Sequence, residues 1–336
     1  MSDEVSTQDT MRERADESRL KLWLLLSANR TLVTVVFSVA FFALFVGVGS
    51  QLEPPLSELL EERGVIETLF SAMIGALITG VTLVVTISQL IISEENGPLG
   101  EQHRRMSETM DFRDHVTDLV GKPSPADPSA LLRNLIDATD SRAERLQASM
   151  DGTDDGDLAA EVEEFTESLT GNADTVREQL DGAQFGTFEV LNAALDYNYS
   201  WKIFQLERLE DEYGDVMDDE HREAIDELRT ALVMFGPARE HVKTLYFQWE
   251  LIDLSRLILY AAMPALLVAG TVFTFVDAST APGTTAGVEN VLWIVATGFT
   301  ITLVPFFLLS AYVIRIATAA KRTLAIGPLI LRGSQR

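Results

Sequence analysis

TLFSAMIGALITGVTLVVTISQLII, from Thr68 to Ile92, decides the fold class, because it is 25 residues long and carries no charge. At ~1.5 Å of rise per residue, such a helix exceeds the ~30 Å hydrocarbon core of a bilayer, and tilt absorbs the excess. Three more stretches share its character: Thr31 to Gly49, Leu257 to Val276 and Val291 to Ile314. The expected fold is therefore an all-α membrane protein with four transmembrane helices in two hairpins, residues 31–93 (spans 31–49 and 68–92) and 257–316 (spans 257–276 and 291–314). A cytosolic helical bundle, residues 94–256, is inserted between spans 2 and 3. The first span starts after an acidic segment with no A-x-A-like cleavage site, so it reads as a retained span rather than a signal peptide.

The rest of the chain is strongly acidic. Its 336 residues carry a formal charge of −25, and 47% of them are hydrophobic, which requires apolar residues and charges to be segregated. Of the 51 Asp and Glu, 38 fall within 94–256, against 15 Lys and Arg, so that segment alone carries about −23. Lysine is scarce, at 5 against 21 arginines. Together with the acidity this points to a halophilic protein, whose carboxylates hold water while salt screens their repulsion. Such a surface excludes nucleic acid as a partner, since phosphate backbones need a basic one. The absence of cysteine excludes disulfides, thiolate metal sites and a cysteine nucleophile.

Orientation follows from the cations flanking the spans. Arg12, Arg14, Arg19, Lys21 and Arg30 precede span 1, and Arg315, Lys321, Arg322, Arg332 and Arg336 follow span 4. The linker after span 1 holds only Arg63, and the linker from Asp277 to Asn290 holds none. Both termini and the middle segment are thus expected inside the cytoplasmic membrane. Residues 1–30 form an N-terminal segment, where Leu20, Leu22, Trp23 and Leu24 to Leu26 beside Lys21 read either as an interfacial helix or as an early start of span 1. Residues 317–336 form a basic tail.

Within the middle segment, Asn96-Gly97-Pro98 interrupts span 2 before a helix over 99–120. Asp127-Pro128 reads as an N-cap and first-turn proline. Helical periodicity returns around Phe165 and Leu169, then in one long segment from Thr187 to about Tyr213. Ile225, Leu228, Leu232 and Phe235 mark a further helix, which Gly236-Pro237 is expected to break. The helix after it, with Val242, Tyr246 and Trp249, is expected to run into span 3. Between the spans, Pro54-Pro55 opens a short amphipathic turn with Leu56, Leu59 and Leu60, and the Ser/Thr/Gly-rich second linker reads as flexible, while the middle segment shows no strand-like alternation of any length.

Chemistry is sparse. Asp151 to Asp157 resembles the start of a calcium loop, but its twelfth position is Val162 where a bidentate Glu belongs, so it reads as a solvated linker. His103, His115, His221 and His241 fall in no metal-ligand spacing. No catalytic, metal or cofactor residue is assigned, and the chain is expected not to be an enzyme. The triplets at Asn29 and Asn198 lie inside in this topology and should be unmodified. No charge lies within any span, which argues against proton coupling and voltage sensing. Both hairpins start on the same side, which argues against an inverted-repeat transporter.

Span 2 is the most informative segment. Thr79, Thr82, Thr86, Gln89 and Ser93 recur at spacings of 3, 4, 3 and 4, a single polar stripe on one helix face. The stripe reads either as the lining of a pore or as interhelical hydrogen bonding, worth ~0.6 kcal/mol per contact in membranes. Ala72, Ala76 and Gly80 form a second stripe, of small residues, and Ala261, Ala265 and Ala269 form another in span 3. Small residues let backbones approach, so these stripes are expected to pack on a neighbouring helix, with each other as one pairing. Pro264 and Pro305 are expected to kink spans 3 and 4.

ITGVTLVVTISQLII, Ile78 to Ile92, followed by Glu94 to Gln102 and by Arg104-Arg105-Met106, resembles a family of uncharacterised haloarchaeal membrane proteins over residues 66–115. The resemblance implies an archaeal source and four spans. A fainter likeness, carried by the small and Thr-rich span alone, is to the DUF2254 membrane proteins. Two functions follow as expectations. One is a homo-oligomeric, channel-like or tension-responsive protein with span 2 nearest the axis. The other is a scaffold that recruits a cytosolic protein partner through the acidic bundle. The lipid bilayer is a partner in both.

Overall fold

The computed structural model describes residues 23–322 apart from 152, 154 and 185. Leu20 to Leu22 and most of the basic tail lie outside the described residues. Among the described residues, a π-helical turn, Trp23–Ser27, precedes ten α-helices and one two-stranded hairpin. The helices are α1 (Arg30–Gly49), α2 (Leu56–Arg63), α3 (Val65–Glu95), α4 (Leu99–Val120), α5 (Pro128–Ser149), α6 (Gly156–Leu180), α7 (Phe188–Asp196), α8 (Tyr199–Tyr213), α9 (Asp219–Phe275) and α10 (Asn290–Arg322). The strands β1 (Thr284–Thr285) and β2 (Val288–Glu289) lie between α9 and α10. Four helices, α1, α3, α9 and α10, are long and apolar enough to cross a membrane. The chain divides into two compact units, and α9 contributes residues to both.

One unit, built around residues 97–247, is a helical bundle. Two of its described helices start where a side chain supplies the missing partner of the first amides. Asp127 caps α5 by accepting from the Ala130 amide (2.9 Å), with Pro128 in the first turn. Asp155 caps α6, accepting from Asp157 and Leu158. On α6, the buried residues Leu158, Val162, Phe165, Leu169, Ala173, Val176 and Leu180 follow one face at spacings of three and four. They pack against Leu132, Leu135, Ile136 and Leu146 of α5 and against Ile225, Leu228, Leu232 and Phe235 of α9.

Two expectations about this unit are corrected. The segment from Thr187 to Tyr213 is two helices, broken at Tyr197 and Asn198. The buried side chain of Asn172 stabilises the break, because it donates to the Asp196 carbonyl (2.9 Å) and accepts from the Asn198 amide (3.1 Å). Gly236-Pro237, in contrast, does not break α9, which is helical throughout. Proline removes one backbone bond, and packing outweighs it. Gly236 lies close against the ring of Tyr199, over which the Arg239 guanidinium stacks at 4.8 Å, and Phe235 is fully buried beside both Tyr197 and Tyr199. The π-helical turn is distinct from α1, so span 1 does not start early, and its Leu26 packs with Phe188, Leu191, Leu195, Tyr246 and Ala319.

The other unit, residues 28–96 with 248–317, holds the four apolar segments. Helix α10 is its centre, with half of its apolar window buried against 17% for α1 and α3. Phe299 of α10 meets Phe41 and Phe45 of α1 at 5.3 and 5.5 Å and Phe70 of α3 at 6.4 Å, all edge-on. Such pairs add ~0.5–1.5 kcal/mol each beyond the area they bury. Beside Phe299, Gly298 lets α10 approach both α9 and α3. A Cβ there would stand 2.8 Å from Val272 Cγ2 and 3.5 Å from the Phe70 ring. Gly298→Ala is therefore expected to lower stability by ~1–3 kcal/mol through overpacking, read as a lower melting temperature in detergent, whereas Gly270→Ala, in open space, should be silent.

The second linker, read from its composition as flexible, contains a short hairpin of β1 and β2. Ala286 and Gly287 both have positive φ, at 55° and 80°, the requirement of a tight two-residue turn. Glu289 in β2 accepts from the Ser57 amide (3.2 Å) and hydroxyl (2.5 Å), placing an anion at the start of α2. That bond ties the two linkers together.

Candidate functional site

Helix α3 has two unlike faces. Ile66, Phe70, Leu77 and Val84 are buried, and Ser88 on the same side shares a hydrogen bond with Ser255 of α9. The opposite side is exposed and carries Thr79, Thr82, Thr86, Gln89 and Ser93, interleaved with Leu83, Ile87 and Leu90. Within the chain the stripe makes no interhelical hydrogen bond among those the described side chains show. The Thr82 hydroxyl donates to the Ile78 carbonyl (2.8 Å) and that of Thr86 to the Thr82 carbonyl (2.9 Å), so both are satisfied one turn back along α3 itself. The amide of Gln89 carries two donors and an acceptor, for which hydrocarbon offers no partner.

The small-residue stripes are treated differently by the fold. Ala265 and Ala269 are fully buried and Ala261 is half-buried, with Ala269 packed beside Ile66, Phe70 and Val295. Ala72, Ala76 and Gly80 are exposed, and a Cβ on Gly80 would meet nothing within 4 Å. The pairing of these two stripes with each other is thus corrected. The larger side chains of α3 bury more apolar area per contact, and they claim the internal face. The small residues share the exposed side with the polar stripe.

A second polar feature joins the start of α1 to α9 and α10. Arg30 and Arg315 are nearly fully buried and converge on the Ala28 carbonyl, which accepts from Arg30 Nε (2.9 Å) and Arg315 Nη2 (2.8 Å). Arg30 Nη1 also donates to the Ala311 carbonyl (3.2 Å), and Arg315 Nη1 pairs with Glu250 Oε1 at 3.0 Å. Planar guanidinium groups suit this task, each donating in several directions at once. The cluster locks the start of α1 to α9 and α10.

A family model matches residues 1–336, the whole length of the chain. The chain belongs to the DUF7972 family. Its description is a family of unknown function. No curated protein and no solved structure matches the chain.

Sequence reasoning about the DUF7972 chain missed Ser88, Ser255 and the role of the two arginines. Arg30 and Arg315 were legible as flanking cations, but their convergence joins positions 285 apart. Ser88 had a weak signal, since it falls on the face of Val84 and Leu77 rather than on the Thr stripe. The histidines have ordinary surroundings: His103, His115 and His241 are exposed, and buried His221 lies 2.9 Å from the Ser149 carbonyl. In the bundle, Arg177 is bound by Asp137, Asp140 and Asp174. Burial pulls its pKa down, but the hydrogen bonds to Asp140 and Asp137 outweigh that and hold it above the ordinary arginine value. This is a permanent cation clamping α5 to α6.

Two apolar grooves line the other unit. One, of about 490 Å³, runs between α1 and α9 over α10, past Thr34, Ser38, Tyr260 and Leu308. The other, of about 380 Å³, lies between α1 and the linker helix α2. The hydroxyls of Thr34 and Ser38 donate to carbonyls of their own helix, so the first groove offers a bound molecule little but apolar surface.

Proposed function

We propose that this DUF7972 protein is a non-enzymatic, homo-oligomeric, channel-like protein of the cytoplasmic membrane, with α3 of each copy nearest the shared axis. The observation that carries the reading is the exposed side of α3. It combines a stripe of hydroxyls and one amide with small residues that permit close helix approach, while the chain's own packing uses the other side. A lone polar stripe in hydrocarbon is unfavourable, and a cyclic assembly removes it from lipid by turning it toward water or toward the next copy. The positive-inside distribution of Arg and Lys supports a topology with both termini and residues 97–247 in the cytosol. The acidic, lysine-poor composition supports a halophilic archaeal source.

Reconstituted full-length protein should carry single-channel currents in planar bilayers, with suction as the stimulus if opening responds to tension. Thr82→Leu combined with Thr86→Leu should abolish or strongly reduce them, since leucine removes the hydroxyls that replace hydration. Currents unaltered by this pair reject the stripe as a lining. Silence from a protein shown to be oligomeric rejects conduction itself.

A further inference from the structure

The first three turns of α4 are amphipathic and exposed on every side. From Gln102 to Asp111 each residue is exposed, and Leu99, Met106 and Met110 are 83%, 65% and 47% accessible. With His103 these three form one seam at spacings of 4, 3 and 4, the repeat by which one helix packs along another. The flanks of the seam are Gly100, Gln102, Ser107 and Thr109, small or uncharged, until Asp114 past Met110. The charges lie on the opposite side and are paired within the helix, Glu101 with Arg104 (2.7 Å) and Arg105 (3.5 Å), and Arg104 with Glu108 (3.7 Å).

We infer that this seam is a self-association surface, on which α4 of one copy packs in parallel against α4 of the next. Three observations select a second copy as occupant. In a chain of net charge −25, two identical surfaces repel least where the contact region is uncharged, and from Leu99 to Met110 the seam itself holds no Asp, Glu, Lys or Arg, the first charges on its line being Arg113 and Asp114 past its end. Its residues are self-complementary, since a parallel in-register pairing sets Met106 against Met106 and Met110 against Met110, flexible thioethers that fill irregular gaps. The chain enters α4 only three residues after α3, through Asn96-Gly97-Pro98. A three-turn helix is too short to pair in isolation, but assembly of α3 would hold the α4 copies at high effective concentration. This inference rests on the proposed assembly through α3 and extends it beyond the membrane, adding a ring of Leu99, Met106 and Met110 to the same assembly.

The absence of cysteine makes the test direct. Full-length single-cysteine variants in native membranes are oxidised with copper phenanthroline and resolved without reductant. Met106→Cys and Met110→Cys should give crosslinked dimer, and Arg104→Cys, on the charged side, should give none. Thr82→Cys reports assembly through α3 separately. Dimer from Thr82→Cys with none from Met106→Cys and Met110→Cys overturns the seam and leaves the α3 assembly standing. Dimer from Met106→Cys without dimer from Thr82→Cys supports the seam and removes the α3 reading. Equal crosslinking of Arg104→Cys and Met106→Cys marks random collision and overturns the seam.

Discussion

Glu250→Ala is expected to destabilise the detergent-solubilised protein by ~3–5 kcal/mol, the cost of removing one member of a buried ion pair. The side chains of Arg315 and Glu250 are only 10% and 14% exposed, so water screens the pair weakly. The Arg315 guanidinium also holds the Ala28 carbonyl, and its reorientation would loosen the start of α1 as well. Thermal unfolding followed by circular dichroism measures the loss. Replacing both partners, Glu250→Leu with Arg315→Leu, should recover much of it, because two apolar groups of similar volume demand no pairing. If the single and double variants fall equally, the arginine acts through the carbonyls rather than through Glu250. Wild-type stability in Glu250→Ala would show that the pair contributes nothing.

The second large effect is expected in the bundle. Phe235 is fully buried, with its ring 4.6 Å from that of Tyr197 and 5.7 Å from that of Tyr199. Phe235→Ala should cost ~3–5 kcal/mol through lost burial and the cavity left behind. Its position two residues before Pro237 adds a distinguishing signature, because packing around Phe235 and Gly236 carries α9 through the proline. Helix content measured by circular dichroism should therefore fall in the native baseline of Phe235→Ala. A more distant core truncation, Leu169→Ala, should lower stability while leaving that baseline unaltered. Equal baselines in the two variants would place the continuity of α9 in the backbone rather than in this packing.

Legibility varied with the range of the interaction that decides each feature. The cap at Asp127 and the end of α3 and start of α4 around Asn96-Gly97-Pro98 depend on neighbours within one turn, and local residue types reveal them. The break at Tyr197 and Asn198 depends on Asn172, more than twenty residues away, and nothing local announces it. Pro237 misled for the same reason in reverse: its local cost is real, and distant rings of Tyr197 and Tyr199 offset it. The candidate site divides likewise. The stripe from Thr79 to Ser93 is a property of one helix and was readable by spacing. Which side of α3 turns outward is a property of what the rest of the unit buries.

By itself the sequence determined the four apolar helices, the acidic helical segment between the second and third, and the polar face of α3. These follow from periodicity and from the segregation of charge, which act along the chain. Only the tertiary structure decided that α10 is the centre of the apolar unit, that Ala265 and Ala269 are packed while Ala72, Ala76 and Gly80 are not, and that Arg30, Arg315 and Glu250 meet. Those outcomes depend on which faces compete most successfully for burial, a comparison among helices far apart in the chain that no single segment contains.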